Sequence, residues 1–123
     1  MARPRRREVL GPLEAEVMEL VWASDGAVSV RAMLERLNKG RRQQLAYTTV
    51  MTVMSRLVEK DVLSRRREGR GYVYEASVSD AAEIAVRGVV REFGDAALAH
   101  FVDEAKADPK VLRRLRRLLS DES

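Results

Sequence analysis

The 123-residue sequence predicts a mainly α-helical protein with one small β-hairpin. Two observations carry this prediction. Apolar residues recur at helical spacing in six separate stretches of the chain. Between the third and fourth stretches, residues 62–76 instead alternate around Glu68-Gly69-Arg70-Gly71, a pattern typical of two strands joined by a tight turn.

The front of the chain, residues 1–78, predicts three helices before the hairpin. Pro12 lies near the first position of the first helix, whose first turn is acidic, as the helix dipole favours. A break at Asp25-Gly26 and a short extended piece at 27–29 lead to Ser29, which caps a second helix over 30–38. The third helix spans about residues 46–60. This order predicts a winged helix-turn-helix domain, with the hairpin as the wing.

The rear of the chain, residues 79–123, predicts three further helices with one apolar stripe each. Ser79 is the expected cap of the first, Gly94 ends it, and Asp108-Pro109 opens the third. Three such short helices bury little apolar surface alone, so we expect this segment to pair with a second copy in a two-fold homodimer. Packing onto the front of the same chain is the alternative. The residues expected in the dimer interface are Val86, Val89, Val90, Phe93, Leu98, Phe101, Val102, Leu112, Leu115, Leu118 and Leu119.

Composition argues against several classes of protein. The absence of cysteine excludes disulfides, thiolate metal sites and cysteine nucleophiles. The single histidine, His100, has no evident catalytic partner, and no phosphate-binding fingerprint is present. We therefore expect no enzyme, no cofactor and no metal site. No apolar run approaches the ~18 residues of a membrane span, so a cytoplasmic location without membrane contact is expected.

Positive charge is concentrated in the front of the chain. Residues 1–76 hold 15 lysines and arginines against 10 acidic residues, a net +5, whereas residues 77–123 hold 8 against 9, a net −1. This asymmetry favours a front domain that meets a polyanion. The arginines of the N-terminal arm, Arg3, Arg5, Arg6 and Arg7, are expected to form a flexible tail with weak attraction to phosphates.

The third helix carries an unusual exposed face. Its apolar side holds Val50, Val53, Met54 and Leu57, whereas the opposite side is rich in threonine, a poor helix former. Slim hydroxyl-bearing side chains let a helix backbone approach the DNA major groove closely, and they can contact base edges, phosphates and thymine methyl groups. The predicted DNA-contacting residues of this helix are Thr48, Thr49, Met51, Thr52, Ser55 and Arg56. The alternative is that Thr48 caps the helix and the others are surface residues without a partner.

Cations bracket this face, as phosphates flank a groove. Arg41 and Arg42 precede the helix, and Arg67 and Arg70 follow it on the hairpin. All four are predicted to contact double-stranded DNA. Arg70, between two glycines at the tip of the turn, is the best candidate for a wing contact, although for the hairpin taken alone a solvated charged surface is the more common explanation.

Four stretches in this order resemble the penicillinase-repressor family of the BlaI/MecI type. They are LGPLEAEVMELVW at 10–22, LAYTTVMTVMSRLVEKDVL at 45–63, YVYEA at 72–76 and AALAHFVDEA at 96–105. The resemblance implies a cytoplasmic, dimeric transcriptional repressor with an N-terminal winged helix on a palindromic operator and a C-terminal three-helix segment that interlocks two subunits. It assigns DNA reading to the helix at 48–60, and so to Thr48, Thr49, Thr52 and Arg56.

The resemblance also implies a regulatory cleavage site and an antibiotic response. Family members that control β-lactam resistance are cut by a sensor-linked protease at an Asn-Phe bond in the rear segment, and the matching pair here is His100-Phe101. The histidine departs from the family pattern, so the sequence leaves open whether proteolysis or a ligand releases DNA. A copper-responsive branch of the family uses C-terminal cysteines, which this chain lacks.

A different class of function competes with DNA binding. Winged helices also serve as protein-interaction adaptors that contact no DNA. Salt dependence separates the two classes, because every phosphate contact steepens the loss of DNA affinity with salt.

Overall fold

The computed structural model describes residues 10–121, so the arginine-rich arm at Arg3, Arg5, Arg6 and Arg7 lies outside the described residues. The predicted mainly α-helical fold with one hairpin is confirmed. The elements are α1 Pro12–Trp22, β1 Val28–Ser29, α2 Val30–Asn38, α3 Tyr47–Glu59, β2 Leu63–Glu68, β3 Gly71–Ala76, α4 Ala81–Phe93, α5 Asp95–Ala107 and α6 Pro109–Asp121. No helix between residues 10 and 121 is long and apolar enough to cross a membrane.

The chain forms two compact units: a front unit that ends at Ala85 and a rear unit that begins at Val86. The front unit continues past the boundary predicted after residue 78, because Ile84 in the first turn of α4 is buried in the front core. The predicted cap of α4 is wrong by one residue. Asp80 caps the helix by accepting a hydrogen bond from the Glu83 amide at 3.0 Å, and Glu83 in turn accepts from the Ser79 amide at 2.7 Å. Ala82, in the first turn of α4, is exposed.

The core of the front unit is one continuous apolar cluster to which α1, α2, α3 and the sheet all contribute. Burying one such large side chain contributes about 1.5–3 kcal/mol, so the cluster holds the three helices against the sheet. Its most deeply buried members are Val17, Met18, Met33, Val50, Met54, Leu57, Leu63 and Tyr74.

The start of α1 is tied to the end of α3. Glu14 accepts a hydrogen bond from the Gly11 amide at 2.9 Å, which satisfies a donor that the helix leaves free. The same carboxylate pairs with the Lys60 ammonium at 2.8 Å, directly after α3. At the other end of α1, the Trp22 indole Nε1 donates to the Val78 carbonyl at 2.9 Å, so the chain leaving the sheet is fixed to the helix.

The three strands form an antiparallel sheet in the order β1-β3-β2. The β2-β3 hairpin pairs Leu63 with Ala76 at its base and Glu68 with Gly71 at its tip. Gly69 adopts a φ of 63°, a left-handed conformation that glycine tolerates, and this allows the tight turn that was predicted here. The wing, residues 63–76, is therefore a regular hairpin packed at its base against α3.

Candidate nucleic-acid interface

Helix α3 is divided into a buried side and an exposed side along its whole length. Val50, Val53, Met54 and Leu57 are buried in the front core, as the spacing predicts. The opposite side carries the predicted DNA-contacting residues, which we call the recognition face: Thr48, Thr49, Met51, Thr52, Ser55 and Arg56. Ser55 is half-buried and the other five are exposed. The exposed Glu59 lies on the same side, at the end of the helix.

The side chains of the recognition face are free to bind a ligand. Within residues 10–121, the hydroxyls of Thr48, Thr49 and Thr52 and the guanidinium of Arg56 take part in no side-chain hydrogen bond or ion pair. The cap of α3 is Ala46, so Thr48 does not cap the helix. An array of slim hydroxyls with no side-chain partner in the described part of the chain, next to an arginine without an ion pair there, can donate and accept hydrogen bonds to an external polar surface.

The turn between α2 and α3 is closed by Asn38. Its Oδ1 accepts from the Leu45 amide at 2.7 Å, and its Nδ2 donates to the Leu45 carbonyl at 3.1 Å. Gln44 adds hydrogen bonds to the carbonyls of Asn38 and Arg41 at 3.0 and 2.7 Å. This network fixes where α3 begins relative to α2, and sequence reasoning missed it.

The two predicted cations of this turn differ in their surroundings. Arg41 pairs with Glu16 of α1, with its Nη2 at 2.7 and 2.9 Å from the two carboxylate oxygens, and its Nε donates to the Leu37 carbonyl at 3.1 Å. Arg42 is exposed and has no ion pair within the described residues. Arg41 thus has a structural partner, and Arg42 is the more available cation.

An additional cation lies beside the start of α3. Arg31, in the first turn of α2, places its guanidinium carbon 5.7 Å from the centroid of the Tyr47 ring, a cation–π geometry. Both side chains are exposed. Sequence reasoning missed this pair because the two residues lie sixteen positions apart in the sequence.

The wing carries four arginines on and next to β2. Arg67 and Arg70, the two predicted contacts, are exposed, and neither forms an ion pair within the described residues. Arg65, which was not among the predicted contacts, is likewise exposed and without an ion pair in that range, whereas Arg66 is flanked by Glu68 and Glu75. Free positive charge therefore follows α3 as well as preceding it, as the sequence predicts.

The predicted dimer residues are largely solvent-exposed in the single chain. Val86 is 61% exposed, Phe93 57% and Leu119 64%, unusual values for large apolar side chains in a folded unit. Leu112 and Leu115 are half-buried within the rear unit, where α5 packs on α6. The remaining predicted residues, Val89, Val90, Leu98, Phe101, Val102 and Leu118, are 41–52% exposed.

The predicted cleavage pair lies inside a helix. His100 and Phe101 are in the middle of α5 and both are exposed. No group of acidic or histidine side chains suited to hold a metal ion occurs among residues 10–121. The assignment of DNA contacts, dimer contacts and cleavage to these residues stays a prediction.

Comparison with known proteins identifies the family. The model of the penicillinase repressor family matches residues 10–121. The transcriptional regulator BlaI of Mycobacterium tuberculosis is 37% identical over 114 residues, which cover 85% of this chain and 80% of that protein. The penicillinase repressor of Bacillus licheniformis is 27% identical over 74 residues, or 60% of this chain and 56% of that protein.

A solved structure has the same fold as the front of the chain. The solution structure of the DNA-binding domain of the repressor BlaI superposes with a TM-score of 0.53 and 24% identity, covering 65% of this chain and 93% of that domain. Together with the match over residues 10–121, these relatives show that the chain belongs to the penicillinase repressor family, whose members are transcriptional repressors and not enzymes.

Proposed function

We propose that this protein is a dimeric repressor that binds a palindromic operator by inserting α3 into the DNA major groove. The observation that carries the proposal is the recognition face, whose threonine hydroxyls and Arg56 have no partner within residues 10–121. Threonines reduce the stability of an exposed helix, so a face rich in them is best explained by a ligand that needs slim, hydrogen-bonding side chains. DNA has the matching groove.

The charges around α3 support the same ligand. Arg42 precedes the helix, Arg67 and Arg70 follow it, and all three are exposed without an ion pair in the described part of the chain. Such cations match the two rows of phosphates that border a major groove, and they supply affinity and register but no sequence information. The wing tip at Arg70 is slim because glycine lies on both sides.

The rear unit supports dimerisation. Each of its helices exposes an apolar stripe in the single chain, and a second copy of the same segment would cover these stripes by a two-fold interface. A two-fold dimer presents two α3 helices, so it reads two half-sites related by the same symmetry. In this proposal the repressor acts in the cytoplasm on chromosomal DNA.

Cleavage of the His100-Phe101 bond is the route by which a protease would release the operator. Both residues lie inside α5, and a protease requires an extended chain, so α5 must open locally before this bond is cut. A cut here would separate α6 from α4, and it would remove part of the apolar surface that we assign to the dimer. Mass spectrometry of the protein recovered from induced and uninduced cells checks this bond directly.

Footprinting on genomic DNA around the protein's own gene tests the proposed function. We expect one protected region with two symmetric half-sites, spaced by a helical turn or a multiple of one. Affinity for this site should exceed that for random DNA and should fall steeply as salt rises. Equal affinity for both DNAs would contradict operator reading, and no salt-dependent binding would favour a protein-interaction adaptor instead.

A further inference from the structure

The positive charge of the wing is divided between the two sides of the hairpin. Arg66 lies 3.5 Å from a Glu75 carboxylate oxygen and 3.7 Å from one of Glu68. Strand alternation places Arg65 and Arg67 on the opposite side of the sheet from Arg66. On that side they form no ion pair with any residue described here. One side of the wing is therefore charge-compensated and the other is not.

The ring of Tyr72 lies close to both Arg65 and Arg67, the two arginines on the side of the wing without ion pairs among the described residues. The strand register puts Arg67 directly opposite Tyr72, and Arg65 two pairs further towards the base of the hairpin, opposite Tyr74. The guanidinium carbons of Arg65 and Arg67 lie 4.6 and 5.9 Å from the centroid of the Tyr72 ring. Both distances are within the range of cation–π attraction. A single aromatic ring thus contacts two arginines on the same side of the wing.

This side of the wing is also the side that meets the helices. Leu63 shares it by strand alternation and is buried in the same core cluster as Val53 and Leu57 of α3. The exposed outer part of this side, with Arg65, Tyr72 and Arg67, therefore continues from the surface against which α3 packs.

We propose that Arg65 and Arg67 form a phosphate-binding edge of the wing and that Tyr72 is the residue that positions them. This inference rests on the proposed DNA-binding function and names a binding site within it. Stacking restrains a side chain that otherwise samples many rotamers, so less freedom is lost when a phosphate binds. It also leaves the planar N–H fork of each guanidinium open at its edge, and that fork matches two phosphate oxygens.

Backbone phosphates fit this edge better than bases do. Two guanidiniums that share one ring form a broad cationic surface, whereas base reading in a groove requires one side chain to reach an individual base edge. Phosphate contacts contribute the same free energy on any sequence. The edge should therefore strengthen binding to operator and random DNA alike.

The arginines on β2 provide a matched pair of variants. Arg65→Gln and Arg66→Gln remove one charge from adjacent exposed positions on opposite sides of the same strand. Fluorescence anisotropy would measure the affinity of the full dimer for an operator duplex and for a random duplex of equal length, between 50 and 200 mM salt, roughly the range in which phosphate contacts dominate the salt dependence. For Arg65→Gln we expect about a fivefold loss on both duplexes near 0.15 M salt and a salt slope smaller by about 0.9. Arg66→Gln should leave both quantities unchanged.

Two results would overturn the phosphate-binding edge. Equal losses for Arg65→Gln and Arg66→Gln would mean that the wing acts only through its total charge. A loss for Arg65→Gln confined to the operator duplex would mean that Arg65 reads a base. If wild-type protein binds neither duplex, the proposed function itself fails, whereas wild-type binding with an unaffected Arg65→Gln variant refutes only this inference.

Variants of Tyr72 test the positioning role. Tyr72→Phe keeps the ring and should retain wild-type affinity, whereas Tyr72→Leu keeps apolar bulk without the ring and should lose affinity on both duplexes. In an Arg65→Gln, Arg67→Gln background, Tyr72→Leu should cause no further loss, because no arginine remains to be positioned. A further loss in that background would show that Tyr72 acts through the fold or by itself.

Arg65→Lys gives a result that does not depend on how Tyr72 variants fold. Lysine keeps the charge but has no planar fork and stacks less well on an aromatic ring. We expect the salt slope to stay near the wild-type value while affinity falls on both duplexes. Wild-type affinity for Arg65→Lys would show that charge alone suffices and would overturn the role of the stacked geometry.

Discussion

The Asn38 side chain forms hydrogen bonds with both backbone polar groups of Leu45. The amide oxygen of Asn38 accepts from the Leu45 N–H at 2.7 Å, and its amide nitrogen donates to the Leu45 carbonyl at 3.1 Å. The side chain of the last residue of α2 therefore mimics a strand partner for the residue that precedes the cap of α3. Because α3 carries the recognition face, this pair of hydrogen bonds sets the position of that face in the front unit.

Replacing Asn38 should uncouple the turn from the helix. Asn38→Ala removes both hydrogen bonds and should lower the free energy of unfolding by about 1–3 kcal/mol, since a half-buried pair of backbone groups loses its partners. Urea denaturation measures this loss. Asn38→Asp is the control, because it keeps the acceptor for the Leu45 amide but cannot donate a hydrogen bond. Its free energy of unfolding should fall between those of wild type and Asn38→Ala. A stability equal to wild type for Asn38→Ala would mean that the turn is held by other contacts.

The sequence predicts the elements of this fold well because periodicity and capping are local signals. The predicted third helix, 46–60, differs from the observed Tyr47–Glu59 by one residue at each end, and Ser29 caps α2 as expected. The cap of α4 was misassigned although the signal was present. Glu83 lies three residues after Asp80, the spacing of a capping box, and this points to Asp80 instead of Ser79.

Contacts between residues distant in sequence could not be predicted in the same way. The Arg41 to Glu16 ion pair joins residues 25 positions apart, and its existence depends on how α1 packs beside the turn. The contact between Tyr72 and Arg65 could have been predicted more easily from the sequence. Once the turn is placed at Gly69 and Arg70, hairpin pairing puts Arg67 opposite Tyr72, and alternation then separates Arg65 and Arg67 from Arg66.

Trp22 should contribute to stability through its indole N–H as well as its ring. The hydrogen bond to the Val78 carbonyl, at 2.9 Å, connects α1 to the chain that leaves the sheet. Trp22→Phe keeps an aromatic ring but removes the donor, so we expect a loss of about 1–2 kcal/mol in the free energy of unfolding, measured by thermal or urea denaturation. A loss confined to a few tenths of a kcal/mol would assign the role of Trp22 to packing alone.

Leu119→Asp should split the proposed dimer without unfolding the single chain. Leu119 is 64% exposed, so an aspartate there meets water in the monomer but would lie in an apolar interface in the dimer. Sedimentation equilibrium should show a shift to monomer, and circular dichroism should show unchanged helix content. Arg114→Asp, on the opposite face of α6, is the control and should remain dimeric. An intact Leu119→Asp dimer would exclude this face from the interface.

Arg56→Ala should separate base reading from phosphate binding. The Arg56 guanidinium is exposed on the recognition face and pairs with no acidic residue of the described chain, so it can address guanine or a phosphate. If it reads a base, its loss should cost about 1–3 kcal/mol on the operator and much less on random DNA. Competition binding with the two duplexes measures this difference. Equal losses on both would make Arg56 a phosphate contact.

Thr52→Glu is the most direct test of the recognition face. Thr52 is exposed at the middle of α3, where a carboxylate would meet the negative potential of the groove but would not disturb the buried side of the helix. Like-charge contact in a closed interface costs several kcal/mol, so operator affinity should fall by about 100-fold or more while the melting temperature stays near wild type. Ala82→Glu adds the same charge to another exposed helical position of the front unit and should reduce affinity only slightly. If Thr52→Glu binds the operator as tightly as Ala82→Glu does, this side of α3 does not enter the groove. The exposed threonines then require another ligand.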